Sequence, residues 1–140
     1  MSADDGSVVS NATLAGSRYI LYFYPKDDTP GCTAQACGLR DSWSRMAQTG
    51  VEIFGVSPDS VTRHARFREK YALPYRLLSD EGHEAAQAFG VWIEKKFAGR
   101  TYFGNERTTF VIGADGRVEQ VLPQVTPDAH VEQLLEALAA

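Results

Sequence analysis

The chain has 140 residues, a formal net charge of −4, and 44% hydrophobic against 23% charged residues. That is the length of one domain, with room to bury about two-thirds of its unfolded surface, and the composition is ordinary for a globular protein. No apolar run approaches the roughly 20 residues of a membrane span, no signal peptide is recognisable, and no basic cluster suits nucleic acid or an anionic bilayer; a cytoplasmic protein with neither partner is expected.

Residues 1–16 form a mostly polar lead, with at most a short strand around Val8 and Val9. Residues 19–24 are apolar and aromatic, end at Pro25 and read as a fully buried strand. After the loop Pro25-Lys26-Asp27-Asp28, Thr29 is placed to accept a hydrogen bond as N-cap, and Pro30 suits the first helical position. The helix is predicted to run to about Gln48, with Cys32, Ala36, Leu39, Trp43, Met46 and Ala47 on the core face and Cys37 off it. Gly50 then ends it. Residues 51–57 read as a second buried strand, and Ser57-Pro58-Asp59-Ser60 opens a helix to about Tyr71, with the charges of residues 63–70 on a solvated face.

Beyond Pro74 come a short extended piece at 75–78 and a helix around 83–89. Residues 92–104 carry a weak pattern, and Lys95-Lys96 and Gly99-Arg100 suggest a solvated loop or a short ragged strand. Residues 108–112 and 117–122 form a hairpin about Gly113-Ala114-Asp115-Gly116, and a last helix covers about 127–138. The alternation βαβα implies parallel strands with covering helices.

The chemistry points to the two cysteines, Cys32 and Cys37. Cys32 falls in the first turn of a helix, where unpaired N–H groups and the positive end of the macrodipole favour an anion, here a thiolate. On an ideal helix, Cα atoms five residues apart are about 8.6 Å apart, whereas a disulfide needs less than about 7 Å. The pair is therefore either two thiols on a wound helix or a disulfide on an unwound one. We read Cys32 as the attacking thiolate and Cys37 as a resolving thiol reached by unfolding the first turns. His64, His83 and His130 are scattered without metal-ligand spacing, so no metal site is expected.

The run Tyr24-Pro25-Lys26-Asp27-Asp28-Thr29-Pro30-Gly31-Cys32, followed by Cys37, resembles the Q-type peroxiredoxins, also called bacterioferritin comigratory proteins. Pro25, Thr29 and Cys32 satisfy that family's Pro-x-x-x-Thr/Ser-x-x-Cys motif. The resemblance continues through Ser57-Pro58-Asp59-Ser60 and Leu77-Leu78-Ser79-Asp80 to Glu106-Arg107-Thr108-Thr109-Phe110, where Arg107 matches the family's active-site arginine. It implies an α/β, thioredoxin-like fold with a central mixed sheet, in one domain over 1–140. It also implies a thiol-dependent peroxidase acting on hydrogen peroxide and organic hydroperoxides through a Cys32 sulfenic acid. An intramolecular disulfide with Cys37 would resolve that acid, and thioredoxin or a glutaredoxin would reopen the disulfide. No cofactor is implied, and intramolecular resolution suits a monomer. Arg107 and the Cys32 N–H would polarise the peroxide, Thr29 would hydrogen-bond sulfur and peroxide, and Pro25 would shield the site from water.

Ionising the thiol alone yields only a few-fold in rate, because nucleophilicity falls as ionisation becomes easier. Most of an acceleration of about 10⁶ must come from holding the peroxide and its transition state. Two departures from the family pattern stand out. Gln35 replaces the more usual Glu, and an N-terminal segment that forms a β-hairpin in the family is missing, so the hairpin is expected to be shortened. A disulfide reductase of the same fold would need Cys-x-x-Cys rather than four intervening residues. A redox sensor would need neither Thr29 nor Arg107.

Overall fold

The computed structural model describes residues 1–139. At its centre is a six-stranded sheet in the order β1-β4-β3-β2-β7-β8. Three strands run parallel: β2 (Tyr19–Phe23), β3 (Glu52–Ser57) and β4 (Arg76–Ser79). β7 (Thr108–Ile112) pairs antiparallel with β2, and β8 (Val118–Leu122) pairs antiparallel with β7. The helices are α1 (Asn11–Leu14), α2 (Pro30–Asp41), α3 (Trp43–Ala47), α4 (Val61–Tyr71), α5 (Glu84–Ala88) and α6 (His130–Ala139). This mixed α/β arrangement is a thioredoxin-like fold.

Every residue of β2 is buried, because helices cover both faces of the sheet. Side chains alternate along the strand, and so do the two cores. Ile20, Tyr22 and Tyr24 pack with Cys32, Ala36, Leu39, Phe67 and Leu134 on one face. Tyr19, Leu21 and Phe23 pack with Phe54, Ala86, Val91 and Phe110 on the other. Gly55 makes room for the first core, since a Cβ there would lie 2.9 Å from the Tyr22 ring.

Several expectations are corrected. The helix predicted to reach Gln48 breaks at Ser42, whose ψ of 17° leaves the helical range; its N–H closes on Gly38 and Arg40 carbonyls. The axis restarts at Trp43, which packs its ring on Tyr75 at 5.8 Å between centroids. Met46 stays buried through this change of direction, but Ala47 turns to solvent. The short strand expected at Val8-Val9 lies instead at β1 (Ser2–Ala3), which pairs with β4, and Val8 contributes a single bridge to Ser2. The Met1 ammonium donates to the Val9 carbonyl at 2.8 Å, so residues 1–9 form a tight turn along the β4 edge. α1 was not predicted; its Ser10–Thr13 capping box supports four helical residues.

Residues 92–104, read as a loop or ragged strand, are a regular two-stranded antiparallel sheet of β5 (Trp92–Phe97) and β6 (Arg100–Asn105). The pair stands apart from the central sheet and is open to solvent over much of both faces, so its sequence shows no clean apolar alternation. No helix among the described residues is long and apolar enough to cross a membrane.

Candidate active site

The parallel strands β2 and β3 deliver two loops to one end of the sheet, and the β2 loop feeds α2. Thr29 occupies the N-cap position with extended backbone (φ −93°, ψ 154°), and Pro30 begins the helix. The expected side-chain cap is absent. The Thr29 hydroxyl donates backwards to the Lys26 carbonyl at 2.8 Å, tightening the loop instead of the helix. The first helical bond runs from Thr33 N–H to Thr29 O, which leaves the Gly31 and Cys32 N–H groups without intrahelical partners.

Cys32 is 2% exposed and Cys37 is half-buried; both are free thiols on the unbroken α2. Cys37 lies near Arg40 and Tyr75, whose phenol is pushed well above the usual tyrosine range, chiefly by burial. The Tyr75 hydroxyl bonds the Tyr22 hydroxyl at 2.8 Å and donates to the Ala36 carbonyl at 3.3 Å. Pro25, half-buried, opens the loop.

Arg107 reaches this helix from the segment between β6 and β7. That segment is held on both sides: Glu106 N–H donates to Val91 O, and Val125 N–H donates to Arg107 O. The guanidinium lies across Gly31 so closely that a Cβ at that position would sit 2.7 Å from Nη2. Its Nη1 donates to Gln35 Oε1 at 2.9 Å. The structure thus brings Arg107 against the same helical turn that carries Cys32.

Four features escaped the sequence reading. Gln35 is wholly buried and passes the Arg107 contact on to His130 Nδ1 at 3.1 Å, whose Nε2 bonds Thr109 Oγ1 at 2.8 Å. Burial, and then the Arg107 charge, push His130 down to about 4 from its ordinary 6.5. Lys95, read as solvated, is half-buried and donates to the Asn105 carbonyl at 2.5 Å. Its ammonium is shifted below the usual lysine range by burial and then by Arg107, with Cys32 opposing, so it faces the same site.

The fourth lies beneath the loop. His64 Nδ1 meets Asp27 Oδ2 at 2.6 Å, and His64 Nε2 donates to Leu78 O at 2.9 Å. Tyr24 donates to Asp27 Oδ1 at 2.5 Å, and Asp27 N–H donates to Asp59 Oδ2 at 2.8 Å. Asp27, Asp59 and His64 have ligand atoms within 4.8 Å of one another, the geometry of a cation site. Their atoms are already committed, however: Ser57 donates to Asp59 Oδ2 and Arg63 pairs with Asp59 Oδ1. A cation would have to break that network, so the three residues serve as a loop anchor. His64 and Phe67 sit at i and i+3 on α4, and His130 and Leu134 at i and i+4 on α6. This core spacing was the available signal for both histidines.

The sequence pattern of the AhpC/TSA family matches residues 1–121. The chain is 46% identical over 138 residues to the putative peroxiredoxin Bcp of Coxiella burnetii, covering 99% of this chain and 91% of that protein. It belongs to the peroxiredoxin family. Peroxiredoxin Bcp of Escherichia coli K12 is 45% identical over 134 residues, covering 96% of this chain and 86% of its own. Peroxiredoxin Q of Xanthomonas campestris superposes with a TM-score of 0.92 at 35% identity, covering 99% and 87% of the two chains. The bacterioferritin comigratory protein of the same organism, studied for alkyl peroxide reduction, superposes with a TM-score of 0.91 at 34% identity, covering 99% and 88%. As a Q-type peroxiredoxin the chain is a thiol-dependent peroxidase, an oxidoreductase that takes a peroxide as oxidant and a thiol as reductant.

Proposed function

We propose that Cys32 is the peroxidatic thiolate, that Cys37 resolves it within the same chain, and that Arg107, Thr29 and Pro25 form the peroxide site. The observation that carries this reading is the Arg107 guanidinium lying across Gly31, one residue before a buried free thiol in the first turn of α2. The thiolate attacks the terminal O–H oxygen of ROOH, the O–O bond breaks, and the electron pair leaves on RO⁻, which takes a proton as ROH. Sulfur becomes the sulfenic acid. Arg107 and the free N–H of Cys32 stabilise the charge that grows on the two oxygens. Thr29 has its own proton held by the Lys26 carbonyl, so it offers the peroxide O–H a lone pair. Pro25 limits water.

Cys37 thiolate then displaces hydroxide from the sulfenic sulfur, which leaves as water and gives the Cys32–Cys37 disulfide. About 8.6 Å between Cα atoms on a wound helix requires α2 to unwind first. A dithiol reductant reopens the bond, and we assign this to thioredoxin, with a glutaredoxin as the alternative. Hydrogen peroxide and alkyl hydroperoxides are the proposed substrates, and a single-domain cytoplasmic monomer the proposed form. A mass in light scattering that stays at twice 15.4 kDa on dilution would overturn the monomer.

The test is peroxide consumption by pre-reduced protein with thioredoxin, its reductase and NADPH. Cys32→Ser should abolish turnover, and Cys37→Ser should consume one equivalent and stop. Full turnover by Cys32→Ser, or repeated turnover by Cys37→Ser under these conditions, would sink the assignment.

A further inference from the structure

Hydrogen-bond direction can be read along the whole buried chain behind Arg107. A guanidinium only donates, so the Gln35 atom 2.9 Å from Arg107 Nη1 is the carbonyl Oε1. That turns the amide nitrogen toward His130 Nδ1 at 3.1 Å, and since an amide NH₂ only donates, Nδ1 must carry a lone pair. The proton of a neutral ring then sits on Nε2 and points at Thr109 Oγ1, 2.8 Å away. Gln35, His130 and Thr109 are all wholly buried, so water cannot substitute for a lost partner.

We propose that Gln35 and His130 are positioning residues for the peroxidase reaction, forming with Thr109 a neutral relay that fixes the Arg107 guanidinium against the first turn of α2. This rests on the reading above in which Arg107 polarises the peroxide. The relay works only while His130 is neutral: a proton on Nδ1 would set two donors face to face, Gln35 Nε2–H against Nδ1–H. The surroundings favour neutrality. Facing the ring are Gln35 from α2, Thr109 from β7 and the Tyr22 ring from β2 at 5.5 Å, with the Arg107 charge nearby. None is a carboxylate. The low value of about 4 for His130 agrees with the geometry. A neutral partner also leaves the Arg107 charge uncompensated, so it remains available to an oxyanion.

The experiment combines nitrogen-15 NMR of the histidine rings with the rate of Cys32 oxidation by hydrogen peroxide in the reduced protein. In the wild type, His130 should show a protonated Nε2 and an unprotonated Nδ1, unchanged from about pH 8 down to about pH 5. Gln35→Glu should put a carboxylate beside Nδ1, move the proton there, and bring a His130 titration into the neutral range together with a new inflection in the pH–rate profile. Gln35→Leu should slow oxidation by about ten- to a hundredfold, the scale of one buried hydrogen bond to a charged group. His130→Asn, which keeps an acceptor toward Gln35, should retain more rate than His130→Leu. The tautomer is read on unmutated protein, so poor folding of a variant does not shield the idea. A protonated Nδ1 in the wild type, or an unchanged rate in Gln35→Leu, overturns the relay. Arg107→Ala is the separating control: a full rate there removes the arginine's assigned role, whereas a large loss with Gln35→Leu unchanged removes the relay alone.

Discussion

His64 and His130 are both 0% exposed, both lie on helices over the same core, and both hydrogen-bond the segments around the thiol. Their partners differ. His64 Nε2 faces a carbonyl and so carries a proton, and Nδ1 lies 2.6 Å from the Asp27 carboxyl. His130 meets only an amide and a hydroxyl. The same side chain, equally buried, is in one place half of an ionisable pair that anchors a loop and in the other a neutral bridge. Neighbours set the role of a buried histidine more than burial does.

The comparison can be broken first at the anchor. Asp27→Ala removes one partner of a buried pair that also holds Tyr24, and should cost about 3–5 kcal/mol of stability in urea denaturation. A loss below about 1 kcal/mol would show that the network under the loop is energetically idle. The second effect belongs to His130 and has a sign. Its folded value of about 4 lies below its ordinary 6.5, so between those limits the unfolded chain binds a proton that the folded one refuses. Stability therefore falls as pH drops through that window, by roughly 3 kcal/mol in all. His130→Gln lacks this component, so its stability relative to the wild type should improve steadily from about pH 7 to about pH 4. A constant difference would refute the assignment.

Gly31→Ala tests the arginine end of the relay without touching either histidine. The new methyl would meet Arg107 Nη2 at 2.7 Å, and the flexible guanidinium is what must move. Stability should stay within about 1 kcal/mol, since Ala favours a helix over Gly, while peroxide-dependent oxidation of Cys32 slows by about tenfold or more. The smallest effect is expected of Lys95→Met, which removes a half-buried ammonium near Cys32 and Arg107. The rate should fall only a few-fold, and that loss should shrink at high salt, where charge interactions are screened.

What the sequence revealed and what it hid divide along a physical line. β2, the start of α2 and the β7–β8 hairpin carry strong local signals: an unbroken apolar run, a Thr-Pro helix start, and a glycine-bearing turn. Cys32 and Thr29 stood out because their motif is local as well, whereas Arg107 was marked only by the family resemblance at residues 106–110. β5 and β6 did not, since a two-stranded sheet outside the main core has no fully buried face to impose alternation. The break at Ser42 comes from docking Trp43 on Tyr75, which no helical period encodes. Gln35 and His130 are 95 residues apart, and the contact between them exists only once α2 and α6 have packed on the same sheet. Their burial was implied by core spacing on each helix, but their partnership was not.

Gln35 lies between the two cysteines, three residues after Cys32 and two before Cys37. Any unwinding of α2 that joins the sulfurs must therefore also carry Gln35 away from Arg107 and His130. If Cys37 resolves Cys32 as proposed, the oxidised chain would lose the brace of its arginine at the same moment as its nucleophile, and rewinding would restore both together. On that proposal, reduction would do more than release two thiols: it would rebuild the peroxide site, and its completion should be timed by the helix rather than by the sulfur chemistry.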